Sequence, residues 1–299
     1  MDSIVYGIVF AAALVILAIT GALLFQLWVN SGLSRTKFGW SFLTNTTWDP
    51  NAENFGALPF IYGTLVTSGV ALLIAVPFGI GAAIFLAELA PPKLSDILTF
   101  LIELLAAVPS VIFGLIGIFV LIPILKSTVP ALQERLGSMV LFSGPFFGVS
   151  LLAAGVVLSV MIAPFIISVS REVLLAVPKD LREAALALGA TRWETTWDVV
   201  VPFARTGIFG SVFLALARSL GETMAVTMVV GNSPRIVASL LAPGTSIASQ
   251  LASQFGEASG GSLYLSSLIE LGLVLFALTF ILNGAARLLI MMTTERHGR

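Results

Sequence analysis

An all-α membrane protein with about six transmembrane helices is the fold class this sequence predicts, and three observations predict it. Of 299 residues, 58% are hydrophobic and only 10% are Asp, Glu, Lys or Arg, where a soluble globular domain carries about 25%. Mean hydropathy is +1.04. Six segments are apolar for the roughly 20 residues that a helix needs to cross a hydrocarbon core. In water such a chain would expose a large apolar surface; in lipid that surface is at rest.

The six spans are expected at Ile4–Val29, Ala57–Ala87, Ile97–Leu125, Phe146–Ser170, Gly207–Gly231 and Leu263–Met292. The first exceeds the ~7–15-residue apolar run of a secretory signal, and no basic segment precedes it. Pro77, Pro109 and Pro164 lie inside three spans and predict kinks. Asn30–Gly56 reads as a polar, turn-rich loop with Trp40 and Trp48. Leu89–Asp96 is a short connection centred on Pro91-Pro92, and Glu88 sits at a span end. Lys126–Pro145 is mixed, with a short amphipathic piece expected near Leu132–Leu136. Arg171–Thr206 is the most charged connection, and Asn232–Ser262 is rich in Ser, Gly and Ala.

Composition also excludes function classes. The net charge of −1 predicts no nucleic-acid partner. Cysteine is absent and the single histidine is His297, so neither a thiolate nor a multi-histidine metal site is expected, and no cofactor. Lys and Arg near the span ends set orientation. One side holds Lys93, Arg171, Lys179, Arg182, Arg192, Arg205, Arg287, Arg296 and Arg299; the other holds Arg35, Lys37, Lys126, Arg135 and Arg235. The bias places both termini and the 171–206 connection in the cytoplasm.

That connection reads as two helices meeting at a glycine. Pro178 suits a first turn, and Asp180 and Glu183 sit where the helix dipole favours acids. Leu181, Ala184, Ala185 and Leu188 make one helical stripe. Gly189 fits as the stop, Thr191 and Glu194 as a capping box that restarts the helix, and Pro202 as the close of the loop. Such helices can simply join two spans at the interface, or present the Ala/Leu stripe to a partner's groove.

Within the fifth span, Arg218 and Glu222 are spaced i, i+4 and are expected on one helix face with Ser211, Ala215, Ala225 and Val229. A charge at mid-bilayer costs about 2.5–3.5 kcal/mol on insertion scales and usually faces a bundle interior or a water path. An ion pair that neutralises its own burial is one reading. Anion handling is the other: guanidinium presents a planar fork suited to phosphate oxygens, and the carboxylate would balance the empty site and ease release. Glu103 and Glu270 rank below this pair; Glu270 is expected close enough to a helix end to reach water.

Two motifs carry a resemblance. Glu183-Ala184-Ala185, three residues, Gly189, nine residues, then Val199-x-Val201-Pro202 resembles the EAA loop of ATP-binding-cassette importer permeases, departing only in two apolar swaps. Arg218-Ser-Leu-Gly-Glu222-Thr-Met-Ala-Val-Thr resembles the fifth-span signature of the PstC family of phosphate importer permeases. The resemblance implies a type I ABC importer (MetI-like) permease fold. Residues 1–56 would form an N-terminal transmembrane helix and extracytoplasmic loop, 57–292 the importer transmembrane domain, and 293–299 a cytoplasmic tail. It implies that Glu183, Ala184, Ala185, Gly189 and Pro202 couple to an ATPase, and that Arg218 and Glu222 handle phosphate during translocation. Implied partners are a PstA-like permease, a PstB-like ATPase dimer and a PstS-like phosphate-binding protein, in a lipid bilayer. The chain has no Gly-x4-Gly-Lys-Ser/Thr loop, so ATP binding falls to another subunit. Transport of another oxyanion and an ATP-independent anion channel are the alternatives. An intramembrane enzyme lacks paired in-span aspartates, a zinc motif or a Ser–His pairing.

Overall fold

The computed structural model describes residues 2–136 and 139–295; the end of the expected tail, 296–299, with His297, lies outside the described residues. Six helices among the described residues are long and apolar enough to cross a membrane: Val5–Asn30, Leu58–Leu89, Ser110–Arg135, Leu151–Leu175, Arg192–Leu220 and Leu263–Leu288. The expected number of spans therefore holds, while two of the boundaries differ.

Helix α1 (Asp2–Asn30) leads into two short helices, α2 (Gly32–Phe38) and α3 (Ser41–Thr44). The polar loop then forms a small ribbon, β1 (Trp48–Asp49) antiparallel to β2 (Asn54–Phe55), so the chain is not helical throughout. The ribbon is held by its aromatics: the Trp48 ring lies 4.9 Å from Phe55 and 4.8 Å from Phe60. Phe60 belongs to α4 (Leu58–Ile84), which passes through Pro77 without ending and finishes in a π turn, Phe85–Leu89.

The third span departs from expectation. Pro109 is not a kink within one helix; it separates α5 (Pro92–Ala106) from α6 (Ser110–Ile116). With φ −58° and ψ 140°, Pro109 sits in extended backbone, and it has no N–H with which to continue the preceding helix. The span proper is α6, a π turn at Gly117–Leu121, and α7 (Ile122–Leu136). It lies one break further along the chain than 97–125, and the expected amphipathic piece is its far end.

The fourth span is α8 (Leu151–Leu175), whose first turn is capped by Ser150 and which continues through Pro164. Beyond it come α9 (Lys179–Ala187), α10 (Arg192–Glu194), a π turn at Thr195–Val200, α11 (Val201–Leu220), α12 (Met224–Val229), α13 (Ile247–Gln254) and α14 (Leu263–Glu295).

Helix α8 is the axis of the packing. It runs parallel to α4 at close approach: a Cβ at Gly155 would lie 2.5 Å from Val70, and one at Gly79 would lie 2.9 Å from Ile166. Membrane helices gain little from apolar burial against one another, so small residues that allow dense contact decide where they pack. Helix α11 runs antiparallel to α8, with Gly207 against Val173 and the Ser170 and Ser211 hydroxyls 2.7 Å apart. Ala71, Ala75, Leu158, Ile162, Ile166 and Ala215 belong to the central buried cluster. Helix α14 packs on α1, α2, α11 and α13.

Candidate functional site

The 171–206 connection is the elbow its local signals predict. Pro178 precedes α9 as its cap, and Gly189 turns the chain with φ +92°. Thr191 and Glu194 form both halves of a capping box: Glu194 N donates to Thr191 Oγ1 at 3.2 Å, and Thr191 N donates to Glu194 Oε2 at 2.7 Å. Leu181, Ala184 and Leu188 are exposed and Ala185 is half-buried; Glu183 is exposed. Leu188, 90% exposed, is a large apolar side chain at the tip of an elbow with nothing on it.

Pro202 corrects the reading of the loop's end. It does not close a loop but lies inside a continuous helix from Arg192 to Leu220. The π turn at Thr195–Val200 directly precedes α11, placing Pro202 in that helix's first turn. The wider turn absorbs a residue that lacks an N–H and would clash with the carbonyl one turn back. The second half of the elbow is thus continuous with the fifth span.

A second mechanical link has no signature in the sequence. Arg182 reaches the end of the second span: Nη2 donates to Glu88 Oε1 at 2.7 Å and Nε to Glu88 Oε2 at 3.3 Å. The same guanidinium donates to the carbonyls of Leu174 and Val177, at the foot of α8. One side chain on α9 therefore ties the elbow to two spans at once. Glu88, expected only as a span end, is its anchor. The side chains are 19% and 10% exposed, so removing one partner strands a mostly buried charge, a loss of about 3 kcal/mol or more. Arg182→Ala should lower the thermal unfolding midpoint by several degrees; an unchanged midpoint would show the link to be idle.

Arg218 and Glu222 do not share a helix. Helix α11 ends at Leu220 with Gly221 as its cap, and Glu222 lies in the break before α12. Glycine loosens the helix there, and the Glu222 and Thr223 side chains compete for backbone partners. Glu222 Oε1 accepts from Ala225 N at 3.4 Å, and Thr223 Oγ1 donates to Gly221 O at 3.1 Å. Among the described residues no ion pair joins Arg218 to Glu222. Arg218 is exposed and Glu222 half-buried, while Ser211, Ala215, Ala225 and Val229, expected on Arg218's face, are all buried.

Depth follows from register. Ser211 is level with Ser170, and Arg218, seven residues further along α11, is about 10 Å deeper. That places it beside Ala163, near the middle of α8. On the other side of the bundle Gly117 contacts Val157 and Val229, and Gly114 contacts Ala225 and Met228, so α6 and α12 run side by side. Counting back about 10–12 Å from that contact brings both chain breaks, 107–109 and 221–223, to similar depth. Non-helical backbone at membrane depth is tolerated where protein or a water-filled path covers it. The exposed Arg218 guanidinium adjoins the 221–223 break along the chain, and the 107–109 break lies at similar depth across the bundle.

The remaining in-span acids separate. Glu103, on α5, lines a cavity of about 410 Å³ with Thr99, Ser168 and Arg171. Glu270 does not reach water as expected; it is 6% exposed. Among the described residues no His/Cys/Asp/Glu group could hold a metal ion.

Comparison with known proteins agrees with this geometry. Residues 75–290 match the family described as binding-protein-dependent transport system inner membrane component. The phosphate transport system permease protein PstC of Mesorhizobium japonicum is 47% identical, covering 99% of this chain and 92% of that protein. The PstC protein of Haemophilus influenzae is 47% identical over 96% of this chain and 92% of its own length. Among solved structures, an inward-facing MetNI methionine ABC transporter shares the fold at a TM-score of 0.56 and 19% identity, covering 78% of this chain and 94% of the other. A six-span, MetI-like bundle with an exposed elbow and near-full-length relatives at this identity leave one conclusion: the chain belongs to the binding-protein-dependent transport system inner membrane component family, as a member of its PstC permeases.

Proposed function

We propose that this chain is the permease subunit of an ATP-driven importer of inorganic phosphate. The observation that carries this reading is the exposed Arg218 at mid-membrane depth next to the helix break at 221–223, in a chain 47% identical to proteins named as phosphate permeases. An uncompensated cation in the open at that depth is costly in lipid. It suits a chain whose translocation path is completed by a second, PstA-like permease and visited by an anion. Glu222, close in sequence but not paired with Arg218, leaves the guanidinium fork free for phosphate oxygens.

Glu183, Ala184, Ala185 and Gly189 form the docking elbow for a PstB-like ATPase dimer, and Pro202 marks where the elbow becomes the fifth span. ATP binding draws the elbows together, and α11 and the Arg182 link carry that movement into the spans. A PstS-like protein delivers phosphate on the opposite face. Residues 1–56 form the N-terminal span and extracytoplasmic loop, 57–292 the transmembrane domain with its 171–206 coupling loop, and 293–299 a cytoplasmic tail. Both termini face the cytoplasm of the cell membrane, and hydrolysis belongs to the ATPase. Helical continuity from Arg192 to Leu220 supports a lever that switches access between two sides.

The test is co-purification with a PstB-like ATPase and a PstS-like binding protein from the same organism. Phosphate-loaded binding protein should stimulate ATP hydrolysis and sulfate-loaded protein should not. Equal stimulation by both would replace phosphate with a broader oxyanion class.

A further inference from the structure

On the face opposite the 171–206 elbow, the corner between α1 and α2 encloses with α14 a cavity of about 650 Å³. No coupling or translocation residue lines it. Its polar end holds Arg35 and Glu270, with Trp28 and Trp40; below them Ala277, Leu278 and Ile281 continue down α14. From Glu270 to Ile281 the helix descends about 16 Å, roughly half of the ~30 Å hydrocarbon core and so the depth of one leaflet. Trp28 and Trp40 belong at the membrane–water boundary, where indole is favoured.

The two charges are each incompletely served. Glu270 is 6% exposed. The Ser34 side chain serves its carboxyl group, but Oε2 is buried with no hydrogen-bond partner. Arg35 stacks 3.6 Å over the Trp28 ring, and its Nε and Nη2 donate to Ser31 Oγ and the Trp28 carbonyl. Arg35 acts on the Glu270 carboxyl group through space, but among the described residues no ion pair joins them. A buried carboxylate oxygen without a donor is costly unless something supplies one. The missing donor is cationic, the Arg35 side asks for an anion, and the apolar furrow below asks for a chain. A phospholipid with a primary-ammonium headgroup has all three, and one without a further carboxylate adds no second anion beside Glu270.

We infer that this cavity binds a phospholipid with a primary-ammonium headgroup, phosphatidylethanolamine, its ammonium on Glu270, its phosphate on Arg35 and an acyl chain along Ala277–Ile281. The Glu270 carboxyl turns toward the cavity to meet the ammonium, which supplies the N–H that Oε2, sealed in this structure, lacks, a charge-assisted bond in a dry setting. Phosphatidylglycerol offers Arg35 the same phosphate but leaves Glu270 unserved. Phosphatidylcholine brings the charge without an N–H.

The complete importer, purified in detergent, is titrated with each of these three lipids and read by native mass spectrometry. Phosphatidylethanolamine should be retained about tenfold better than phosphatidylglycerol, with phosphatidylcholine between them. Glu270→Gln should bring phosphatidylethanolamine down to the phosphatidylglycerol level without loss of subunits. Ala277→Trp, which fills the furrow, should expel the lipid while the complex stays assembled. Equal retention of the three lipids, or no effect of Glu270→Gln, overturns the assignment. Loss of the second permease from the Ala277→Trp complex would give the cavity to a subunit interface and overturn it equally.

Discussion

Arg218→Ala should abolish phosphate uptake, by at least about 100-fold, in a complex that still assembles. The guanidinium is exposed on this chain, makes no ion pair among the described residues and lies at the level of mid-bilayer on the side of α11 away from the buried Ser219 and Leu220. Truncating it opens no cavity in the core and strands no internal partner, so folding has little to lose. Transport has much more at stake. Two charge-assisted hydrogen bonds to an oxyanion contribute about 1.5–3 kcal/mol each, which converts to two or more orders of magnitude. Arg218→Lys keeps the charge but not the fork and should restore only part of the rate. Uptake by Arg218→Ala at the wild-type rate, measured with radiolabelled phosphate in cells lacking other phosphate importers, would remove the residue from the pathway.

Gly189→Val should uncouple the machine while leaving its spans intact. At φ +92° the position lies where a β-branched residue is a genuine outlier. A Cβ there meets nothing within 4 Å, so the effect is purely one of backbone conformation. To relieve the strain the chain must re-aim α9 against α10, moving the exposed stripe that docks on the ATPase. Binding-protein-stimulated ATP hydrolysis and uptake should both collapse. Gly189→Asn, which tolerates the left-handed region, should recover most of both. A valine variant with normal stimulated hydrolysis and normal uptake would show that the bend is not what the ATPase reads.

The elbow is legible in the sequence because its signals are local. A left-handed glycine and a Thr-x-x-Glu box act over four residues, and both stand where their spacing predicts. The number of spans is legible because hydropathy integrates over a whole membrane thickness. Where spans begin and end is not, because a helix break needs only two or three residues. Pro109 and Gly221 each split an apolar run that hydropathy reads as continuous, and Pro202 falls inside a helix because a π turn precedes it. The loss of the Arg218–Glu222 pairing follows from the break at Gly221 alone. The Glu88–Arg182 link joins residues 94 apart in sequence, and no periodicity encodes such a meeting. Glu270 departs from expectation for a related reason: depth along its own helix suggests access to water, while α2 folds back and covers it.

The central claim, that this permease moves phosphate only when ATP drives it through the elbow, is tested most directly in proteoliposomes holding the complete importer. Phosphate should accumulate inside when ATP is supplied on the elbow side and phosphate-loaded binding protein on the other, and should stop when either is omitted. Phosphate flux that persists without ATP would contradict the account and make the chain a channel.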